Sequence, residues 1–406
     1  KLDDAAVLPT QAVDSRQRVR RVVAFRSEGD ARVDIYFDDG RLGVRMSAFL
    51  PRGEALMLSV REGDRFFYTL HGQRERIVDG QGHLVETIIN STTQEVLLPA
   101  DIRPQGNLCL DRYRLCAREA AEGRCRAVPG WMISNCCASC DAHINASHLL
   151  DPAVRCQRET LNTTGTRAWH AGDLQQMFSD IKQNQRWRQY IPVVLSEPPA
   201  GPWVLLLEKF LSEAECAALM TGGELEGFHQ STVHKEKASA VNAIGELASS
   251  LDSGRTSSTA WCSKARCGAH PLVQQVMRKV EELTGISKAN FEQPQILSYA
   301  PGQHCRAHQD SNQWLASMAA GVRILTVFFY LSDVEAGGET FFEPLGLRVT
   351  PQKGAALIWP NVRDEDPDEL DDRYVHESLS VKRGFKRAAN LWVHMYDVEV
   401  AEHWGC

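Results

Sequence analysis

The sequence has no apolar run long enough to cross a membrane. Its longest run, Ile324–Leu331, has eight residues and is typical of a buried strand. It also has no excess of positive charge: the net charge is −7, which argues against a general nucleic-acid binder even though residues 16–21 are locally basic. Extensive disorder is not expected either, because 43% of the residues are hydrophobic and 24% are charged. A chain of 406 residues with this composition predicts two or three folded domains.

Cysteine is unevenly distributed along the chain. Seven of the twelve cysteines lie between Cys109 and Cys156, and such clustering indicates disulfides or a metal site. The spacings do not repeat as the paired C-x-x-C knuckles of zinc sites, so disulfides are the favoured interpretation. Disulfides form in oxidising compartments, and we therefore predict a protein of the secretory pathway, in the endoplasmic reticulum or Golgi lumen, secreted or at the cell surface.

Two further features fit a secretory route. N-x-S/T sequons begin at Asn90, Asn145 and Asn162, which makes these residues candidate glycosylation sites. The first residue is Lys1 rather than methionine, so we expect that a signal peptide or membrane anchor has already been removed.

Residues 1–105 are predicted to form a small β-sandwich or barrel. The segment "RVDIYFDDGRLGVRM" has a turn signal at Asp38-Asp39-Gly40 between two strand candidates, which predicts a hairpin. The segments "DRFFYTL" and "HLVETII" predict further strands. The pattern "VDIYFDDG…LPRGEALMLSVREGDRFFYT" also resembles the β domain of the von Hippel–Lindau protein. That resemblance implies a docking module for a protein partner rather than a catalyst.

Residues 106–143 form a second, cysteine-rich segment. Its cysteines are Cys109, Cys116, Cys125, Cys136, Cys137 and Cys140. With Asp111, Gly123 and Met132 between them, they resemble the ShK toxin-like module, a small knot of short helices held by disulfides.

The resemblance to this module implies a disulfide pattern. The implied pairs are Cys116–Cys136 and Cys125–Cys140. The last cysteine of the family pattern is His143 here, which leaves Cys109 without its usual partner. Cys137 and Cys156 are the candidate replacements.

Residues 144–200 are predicted to be a linker that contains an amphipathic helix. Apolar residues recur at helical spacing in "DLQQMFSDIKQNQRWRQY". They are Leu174, Met177, Phe178 and Ile181. Prolines then mark a boundary; they are Pro192, Pro198, Pro199 and Pro202.

Residues 201–406 mix helices with short strands. Residues 212–215 fit a capping box that opens one helix, and "HPLVQQVMRKVEELTG" predicts a second helix that stops at Gly285. Short apolar runs follow, at 294–299, 322–331, 340–342, 355–359 and 388–396. Many short strands after helices predict a jelly-roll or cupin-like barrel with flanking helices. The whole chain is thus predicted to be multidomain and of the α+β class.

The barrel contains residues that could hold a metal ion. His308 and Asp310 form an H-x-D pair, and His376 lies just before a later strand. Two histidines and one carboxylate can occupy one face of an octahedral Fe(II), which leaves three positions for substrate and oxygen. His394 is a competing third ligand. It alternates with Trp392 inside a strand, however, which favours a packed core histidine.

Lys386 follows His376 by ten residues. A dicarboxylate co-substrate needs a cation deep in the barrel to bind its far carboxylate. The alternative is a solvated lysine, because the same turn also contains Lys382, Arg383 and Arg387. The position of His376 upstream favours the co-substrate role.

The order of four segments closely resembles the prolyl 4-hydroxylase branch of the Fe(II)/2-oxoglutarate oxygenases. The segments are "QILSYAPGQHCRAHQD", "RILTVFFYLSDVEAGGETFFEP", "GAALIWPNV" and "HESLSVKRGFKRAANLWVHMYD", and the similarity spans roughly residues 200–398. It implies a double-stranded β-helix domain that hydroxylates C4 of proline in a proline-rich peptide or protein. The implied cofactors are Fe(II), 2-oxoglutarate and ascorbate, and the co-substrate is converted to succinate and CO₂.

The resemblance also implies roles for individual residues. His308, Asp310 and His376 would bind iron, and Lys386 would bind the C5 carboxylate of 2-oxoglutarate. Tyr299, Thr340 and Tyr330 would line the co-substrate pocket. The segment "TSSTAWCSKARC" looks like a family segment and implies a bridge between Cys262 and Cys267.

Three positions depart from the family pattern. Cys305 and Ser311 replace tyrosines before and after the H-x-D pair, and Ser380 replaces a proline after the distal histidine. All metal ligands are present, but the substrate groove is altered. Two alternatives to a prolyl hydroxylase therefore stay open. One is a binding protein that holds a proline-rich or hydroxyproline-rich partner, and the other is an oxygenase that acts on lysine or another residue.

The stretch Asp364–Asp372 carries seven acidic residues in nine. Such runs are usually solvated loops, and we favour that interpretation. The alternative is that the run, which lies just before His376, rims the active-site mouth and attracts a basic peptide.

Overall fold

The computed structural model describes residues 20–50, 54–73, 75–106, 108–231, 233–234, 249–250 and 254–406. The chain forms two compact units, one of Lys1–Ala127 with Met132–Ser147 and one of Val128–Trp131 with His148–Cys406. Most of the basic stretch 16–21, and residues 1–19 of the predicted β domain, lie outside the described residues. The mixed α+β class is confirmed. The division into four segments stays a prediction.

The first unit begins with short strands arranged in several sheets. They are β1 (Arg21–Ser27), β2 (Val33–Phe37), β3 (Val44–Leu50), β4 (Leu56–Val60), β5 (Arg65–Leu70), β6 (Ile77–Val78), β7 (Glu86–Ile88), β8 (Glu95–Leu98) and β9 (Arg103–Pro104). The sheets have the orders β4-β1-β8, β3-β2-β5-β7 and β6-β9, and β1 runs parallel to β8. The predicted hairpin is confirmed: β2 pairs with β3, and Asp38 Oδ1 accepts the Gly40 N–H at 2.9 Å, where Gly40 has φ 81°.

Short helices follow these strands. They are α1 (Cys116–Ala121), α2 (Arg124–Ala127), α3 (Pro129–Asn135), α4 (Cys137–Ile144) and α5 (Ala146–Leu149). Disulfides join Cys109 to Cys137, Cys116 to Cys136 and Cys125 to Cys140. The last two pairs are those that the ShK resemblance implies, and Cys137 is one of the two partners considered for Cys109.

The helices of the second unit are α6 (Pro152–Arg155), α7 (Arg158–Leu161), α8 (Asp173–Gln183), α9 (Glu213–Glu226), α10 (Pro271–Thr284) and α11 (Val398–Trp404). Helix α8 buries the four apolar side chains that predict it, and it ends at Asn184, which caps a following 3₁₀ turn, Gln185–Tyr190. The predicted capping box of α9 is confirmed, as is the end of α10 at Gly285, where φ is 70°. Within the described residues, no helix combines the length and apolar character needed to span a bilayer.

The strands of the second unit are β10 (Pro192–Ser196), β11 (Val204–Leu207), β12 (His229–Gln230), β13 (Val233–His234), β14 (Ser249–Ser250), β15 (Ser258–Trp261), β16 (Gln295–Tyr299), β17 (Cys305–His308), β18 (Arg323–Tyr330), β19 (Ala336–Gly337), β20 (Thr340–Phe342), β21 (Leu347–Val349), β22 (Ala356–Pro360), β23 (His376–Ser378), β24 (Val381–Arg383) and β25 (Lys386–His394). An antiparallel sheet has the order β10-β11-β22-β18-β25-β16-β15-β12, and a smaller one has the order β17-β23-β20-β21.

The larger sheet is buried on both faces. Alternate residues of its central strands pack into a core shared with α8, α9 and α10, for example Val327, Ile358 and Leu391. The residues between them point to the opposite face, where Phe328 and Trp359 join a second core with residues of the smaller sheet. This burial on both sides explains why β18 reads as a continuous apolar run.

Glycines allow a close approach beside this second core. A Cβ on Gly337, which has φ 77°, would lie 2.3 Å from Ser380 O. A Cβ on Gly338, which has φ 74°, would lie 3.4 Å from Lys386 Cδ. Only glycine fits this backbone conformation in so little space. The Gly337-Gly338 pair therefore brings the segment before Thr340 against the strand pair that carries Lys386.

Two further disulfides lie in the second unit. Cys262 is bonded to Cys267, the pair that the family segment implies. Cys156 is bonded to Cys406 and so is not the partner of Cys109. Among the described cysteines, Cys216 and Cys305 are free, and both are buried.

Candidate active site

Three side chains converge where the two sheets of the second unit face each other. His308 ends β17, His376 begins β23, and the two are directly paired across these strands. Nε2 of His308 lies 3.6 Å from Asp310 Oδ1, and Nε2 of His376 lies 3.7 Å from Asp310 Oδ2. One ligand atom from each residue falls within 4.8 Å of the other two. A donor set of two imidazoles and one carboxylate at this spacing fits one face of a divalent metal ion.

Backbone carbonyls orient both imidazoles. His308 Nδ1 lies 2.8 Å from Arg306 O, and His376 Nδ1 lies 2.9 Å from Tyr374 O. A carbonyl only accepts, so each Nδ1 carries the hydrogen and each Nε2 is the atom directed at Asp310. Metal-binding histidines are commonly fixed in this way by a partner on their other nitrogen.

The pKa values of the three groups are strongly shifted. Burial lowers the pKa of His308, but the interactions with Asp310 and Cys305 together outweigh burial and raise the pKa to about 10. Burial lowers the pKa of His376 to about 4. Burial raises the pKa of Asp310, yet His376 and His308 together bring it well below the usual range. The carboxylate is thus ionised and already in contact with the imidazoles.

A chain of hydrogen bonds from the larger sheet holds Asp310. Thr326 Oγ1 donates to Asp310 Oδ2 at 2.8 Å, and Asn361 Nδ2 donates to Thr326 Oγ1 at 3.0 Å. Thr326 stands between Trp359 and Trp392 on the two neighbouring strands. Both indoles line the cleft described below, and the Nε1–H of each is buried without a hydrogen-bond partner in the described part of the chain. Unpaired buried donors beside a metal-type donor set fit a site that binds a polar ligand.

An ion-pair network braces Asp310 from a second side. Arg323 Nη1 donates to Asp310 O at 3.1 Å, while its Nε lies 2.5 Å from Glu292 Oε1. Burial raises the pKa of Glu292, but Arg323 and then His394 outweigh it and lower the pKa to about 2. His394 lies in this network and not at the three-residue site: its Nε2 is 2.5 Å from Glu292 Oε1 and its Nδ1 is 2.8 Å from Gly321 O.

Lys386 is the buried member of a basic turn. It is 0% exposed, whereas Lys382 and Arg383 are exposed. No carboxylate of the described residues lies within ion-pair distance of it; its Nζ donates to Ser378 Oγ at 2.8 Å. Burial lowers the pKa of Lys386 to about 7. A buried ammonium without a counter-charge is costly, and a carboxylate ligand would relieve that cost.

Hydroxyl groups surround Lys386. Tyr299 and Tyr330 have their rings 5.3 and 5.9 Å from Nζ, and Tyr330 OH lies 2.8 Å from Thr340 Oγ1. Burial raises the pKa of Tyr299 to about 12 and also raises that of Tyr330, so both phenols stay protonated as donors. The structure thus brings together all the residues predicted to contact the co-substrate.

A cleft of about 840 Å³ opens onto the three-residue site. Tyr299, Thr340 and Ser378 line it, as do the three converging residues. Lys386 and Tyr330 lie behind this lining. The sequence interpretation missed Ser378, Thr326 and Glu292. No local sequence signal marks them, because each matters only through a partner on another strand.

The three positions that depart from the family pattern have different surroundings. Cys305 lines the cleft, and its Sγ lies 3.7 Å from His308 Nδ1. The Oγ of Ser311 instead accepts a hydrogen bond from the backbone N–H of Arg323, at 3.1 Å. Ser380 is exposed, and its carbonyl accepts the Gly338 N–H at 3.1 Å. Only Cys305 of these three faces the cleft.

Several members of the acidic run Asp364–Asp372 are held by neighbouring residues. Asp364 Oδ1 accepts the Gln175 N–H at 2.9 Å, Asp368 pairs with Arg167 at 2.9 Å, and Asp371 pairs with Arg373. Asp372 accepts from Gln309 Nε2 at 2.9 Å, and Gln309 lines the cleft. One end of the run therefore contacts the cleft wall.

Part of this unit is similar to known proteins. Residues 294–394 match the family model described as the 2OG-Fe(II) oxygenase superfamily. The chain is 34% identical over 145 residues to prolyl 4-hydroxylase subunit alpha-2 of Caenorhabditis elegans, a match that covers 34% of this chain and 26% of that protein. It is 32% identical over 145 residues to prolyl 4-hydroxylase subunit alpha-1 of Homo sapiens, with coverage of 34% and 26%.

The chain spans about a quarter of the length of these curated relatives. Among solved structures, it resembles a viral collagen prolyl hydroxylase from Paramecium Bursaria Chlorella virus-1, at 26% identity and a TM-score of 0.36, over 47% of this chain and 95% of that one. The sequence matches support a 2OG-Fe(II) dioxygenase domain of the prolyl 4-hydroxylase type.

Proposed function

We propose that this protein is a peptidyl-proline 4-hydroxylase that uses Fe(II), O₂ and 2-oxoglutarate. The observation that carries the proposal is a cleft lined by a two-histidine, one-carboxylate cluster, with a buried lysine that contacts the lining residue Ser378 from behind. Lys386 has no counter-charge among the described residues, which fits a carboxylate ligand. The relatives that match this chain are prolyl 4-hydroxylase subunits, which supports proline as the target residue.

In this proposal His308, Asp310 and His376 hold Fe(II), and Lys386 holds the C5 carboxylate of 2-oxoglutarate. Bound iron and 2-oxoglutarate supply the oxidising chemistry with O₂. Tyr299, Thr340 and Tyr330 contribute the hydroxyl groups around the co-substrate. We further propose that ascorbate serves as the reductant that keeps the iron divalent.

The chain itself orients the proposed metal ligands and the cation that binds the co-substrate. Arg306 O and Tyr374 O fix the imidazoles so that both Nε2 lone pairs face the metal position. Thr326 fixes the Asp310 carboxylate from behind. The buried surroundings of Lys386 exclude water, so its attraction for a carboxylate is not screened. Each of these contacts is made by groups of the chain itself.

We propose a double-stranded β-helix for the domain of residues 201–406. The two antiparallel sheets that face a shared core support this fold. We also propose a von Hippel–Lindau β-like domain for residues 1–105, with docking of a protein partner, and a ShK-like module for residues 106–143. The pairs Cys116–Cys136 and Cys125–Cys140 support the second assignment.

A location in the secretory pathway is part of the proposal. Ten of the twelve cysteines form disulfides, which persist in oxidising compartments. The proposed glycosylation sites Asn90, Asn145 and Asn162 are all exposed, so each could carry a glycan without disturbing the core.

The test follows succinate and peptide mass together. The protein is incubated with Fe(II), ascorbate and 2-oxoglutarate, with and without a proline-rich peptide. We expect faster succinate formation with peptide and the addition of one oxygen per modified proline. Lys386→Ala should raise the 2-oxoglutarate concentration required, whereas Lys382→Ala, an exposed lysine of the same turn, should not.

A second candidate function is a binding protein for a proline-rich or hydroxyproline-rich partner. The observation that favours it is Cys305, which lines the cleft where the family pattern has a tyrosine. Tight peptide binding with no added oxygen, across several proline-rich sequences, would favour the binding protein. Equal succinate formation with and without these peptides would indicate a working iron site with a different substrate, such as a lysine-containing peptide.

A further inference from the structure

We propose that Ser378 is a co-substrate-binding residue whose hydroxyl donates a hydrogen bond to the distal carboxylate of 2-oxoglutarate. This inference rests on the proposed function and adds a residue to it. Neither the H-x-D motif nor the lysine ten residues after His376 points to Ser378. It follows instead from three features of the structure.

The first feature is the position of Ser378 between the cleft and the cation. Ser378 lines the cleft, whereas Lys386 is fully buried and lies behind the lining residues. Lys386 Nζ donates to Ser378 Oγ at 2.8 Å. A carboxylate that approaches Lys386 from the cleft therefore also comes within reach of the Ser378 hydroxyl.

The second feature is the strand register. Ser378 is paired with Thr340 on β20 and with Cys305 on β17. Directly paired residues project to the same face of a sheet, so Ser378 shares its face with Thr340, which lines the cleft. His376 lies two residues earlier on β23 and projects to that same face. One short strand thus supplies both a proposed metal ligand and a hydroxyl beside the buried ammonium.

The third feature is the direction in which the hydroxyl can donate. An ammonium group has only donors, so Ser378 Oγ must be the acceptor in its bond to Lys386. The Ser378 hydrogen then points away from Nζ. The Tyr299 hydroxyl, which also hydrogen-bonds Ser378, is an acceptor within the chain, and a carboxylate in the cleft would take its place. A hydroxyl that accepts from a cation is also polarised toward stronger donation. A carboxylate is the acceptor that satisfies both Lys386 and Ser378.

A purely structural role is the alternative. In that case Ser378 would only solvate the buried ammonium, and its loss would destabilise the protein without a specific effect on ligand binding. The two roles are separated by equilibrium binding of 2-oxoglutarate to the full-length chain with Mn(II), measured by titration calorimetry. Mn(II) occupies the same type of site without supporting turnover, so the measurement does not depend on activity.

We expect Ser378→Ala to weaken 2-oxoglutarate binding about tenfold, the effect of one lost hydrogen bond to a charged group. Ser378→Thr, which keeps the hydroxyl, should bind within about threefold of the wild type. The matched control is Thr284→Val, which removes a buried hydroxyl in α10 whose Oγ1 donates to Val280 O at 2.8 Å. It should bind like the wild type.

Equal 2-oxoglutarate affinities of Ser378→Ala and the wild type would overturn the inference, whatever the melting temperature of the variant. If Ser378→Ala does not fold, Ser378→Thr and Ser378→Val can be compared instead, because threonine and valine have the same shape and differ in the hydroxyl. Equal 2-oxoglutarate affinities of these two variants would overturn the inference. A wild-type protein that binds Mn(II) but no 2-oxoglutarate would overturn the proposed function as well. Binding by the wild type with no loss in Ser378→Ala would overturn only the role of Ser378.

Discussion

The disulfide-rich region of the first unit and the cleft of the second unit are stabilised in different ways. Helices α1, α2 and α4 have six, four and eight residues, and three disulfides lie between Cys109 and Cys140. Helices this short have little intrinsic stability, so covalent links supply what burial cannot. Around the cleft, by contrast, the central strands of the larger sheet are buried on both faces, and the disulfides described in that unit are Cys262–Cys267 and Cys156–Cys406.

The difference explains where buried charge is found around the site. Lys386 and Asp310 are 0% and 5% exposed, inside the part of the chain with the larger cores. Burying a charge costs free energy, and the extensive apolar cores around the cleft offset that cost while leaving each charge in a defined position.

The largest expected effect comes from removing a charged residue of the cleft in the second unit. Asp310→Ala should lower Mn(II) affinity more than about 100-fold and abolish hydroxylation, because the metal loses a charged ligand. Titration calorimetry measures the affinity, and circular dichroism checks the fold. Asp368→Ala is the control, since Asp368 is an exposed partner of Arg167. Unchanged Mn(II) binding by Asp310→Ala would contradict the metal site.

The next largest effect comes from removing a disulfide of the first unit. Replacing Cys116 and Cys136 together with serine should cost about 3 kcal/mol in the first unit, because their disulfide closes a loop with a sequence separation of 20. Mn(II) affinity in the second unit should not change. Limited proteolysis with mass mapping reports cleavage in each unit. A loss of metal binding in this variant would show that the two units are not independent in stability.

A smaller effect concerns acid stability. Glu292 has a folded-state pKa of about 2, below its ordinary 4.5, so its ionised form stabilises the fold above pH 4.5 by about 3 kcal/mol. That stabilisation is lost as the pH falls from about 4.5 towards 2. In Glu292→Gln, thermal unfolding should show a weaker pH dependence over this window. If the melting temperatures of Glu292→Gln and the wild type changed equally with pH between 4.5 and 2, the stabilising role of ionised Glu292 would be contradicted.

The smallest effect sharpens the role of the hydrogen-bond chain behind Asp310. Thr326→Val keeps the shape of the side chain but removes the hydroxyl that donates to Asp310 Oδ2. Mn(II) affinity should fall about tenfold, as is typical when the partner of a metal ligand is removed. Thr284→Val again serves as the control. An affinity equal to the wild type would mean that the carboxylate is held well enough by the contacts of Arg323.

Local patterns in the sequence predict much of the second unit. The apolar run 322–331 predicts β18, the serine and glutamate at 212 and 215 predict the start of α9, and Gly285 predicts the end of α10. The H-x-D pair and His376 predict three residues that line the cleft, and the lysine ten residues after His376 predicts the cation that contacts the lining residue Ser378. These signals are local because strand parity and helix capping involve only a few consecutive residues.

Other features depend on distant partners and leave no local signal. Ser378 and Thr326 are ordinary polar residues in strands until their hydrogen bonds to Lys386 and Asp310 are known. The parallel pairing of β1 with β8 depends on the path of the whole first unit. The pairing of Cys156 with Cys406 joins residues separated by 250 positions, so no spacing rule could select it.

That last disulfide closes almost the entire second unit into a covalent ring. Cys156 lies near the start of the segment His148–Cys406, and Cys406 is its final residue. Tension applied between these two points passes through one sulfur–sulfur bond and bypasses the sheets that carry the cleft. A proteolytic cut within the ring likewise produces two pieces that stay joined. The two ends of the second unit therefore stay covalently joined after a single cut within the ring, until this disulfide is reduced.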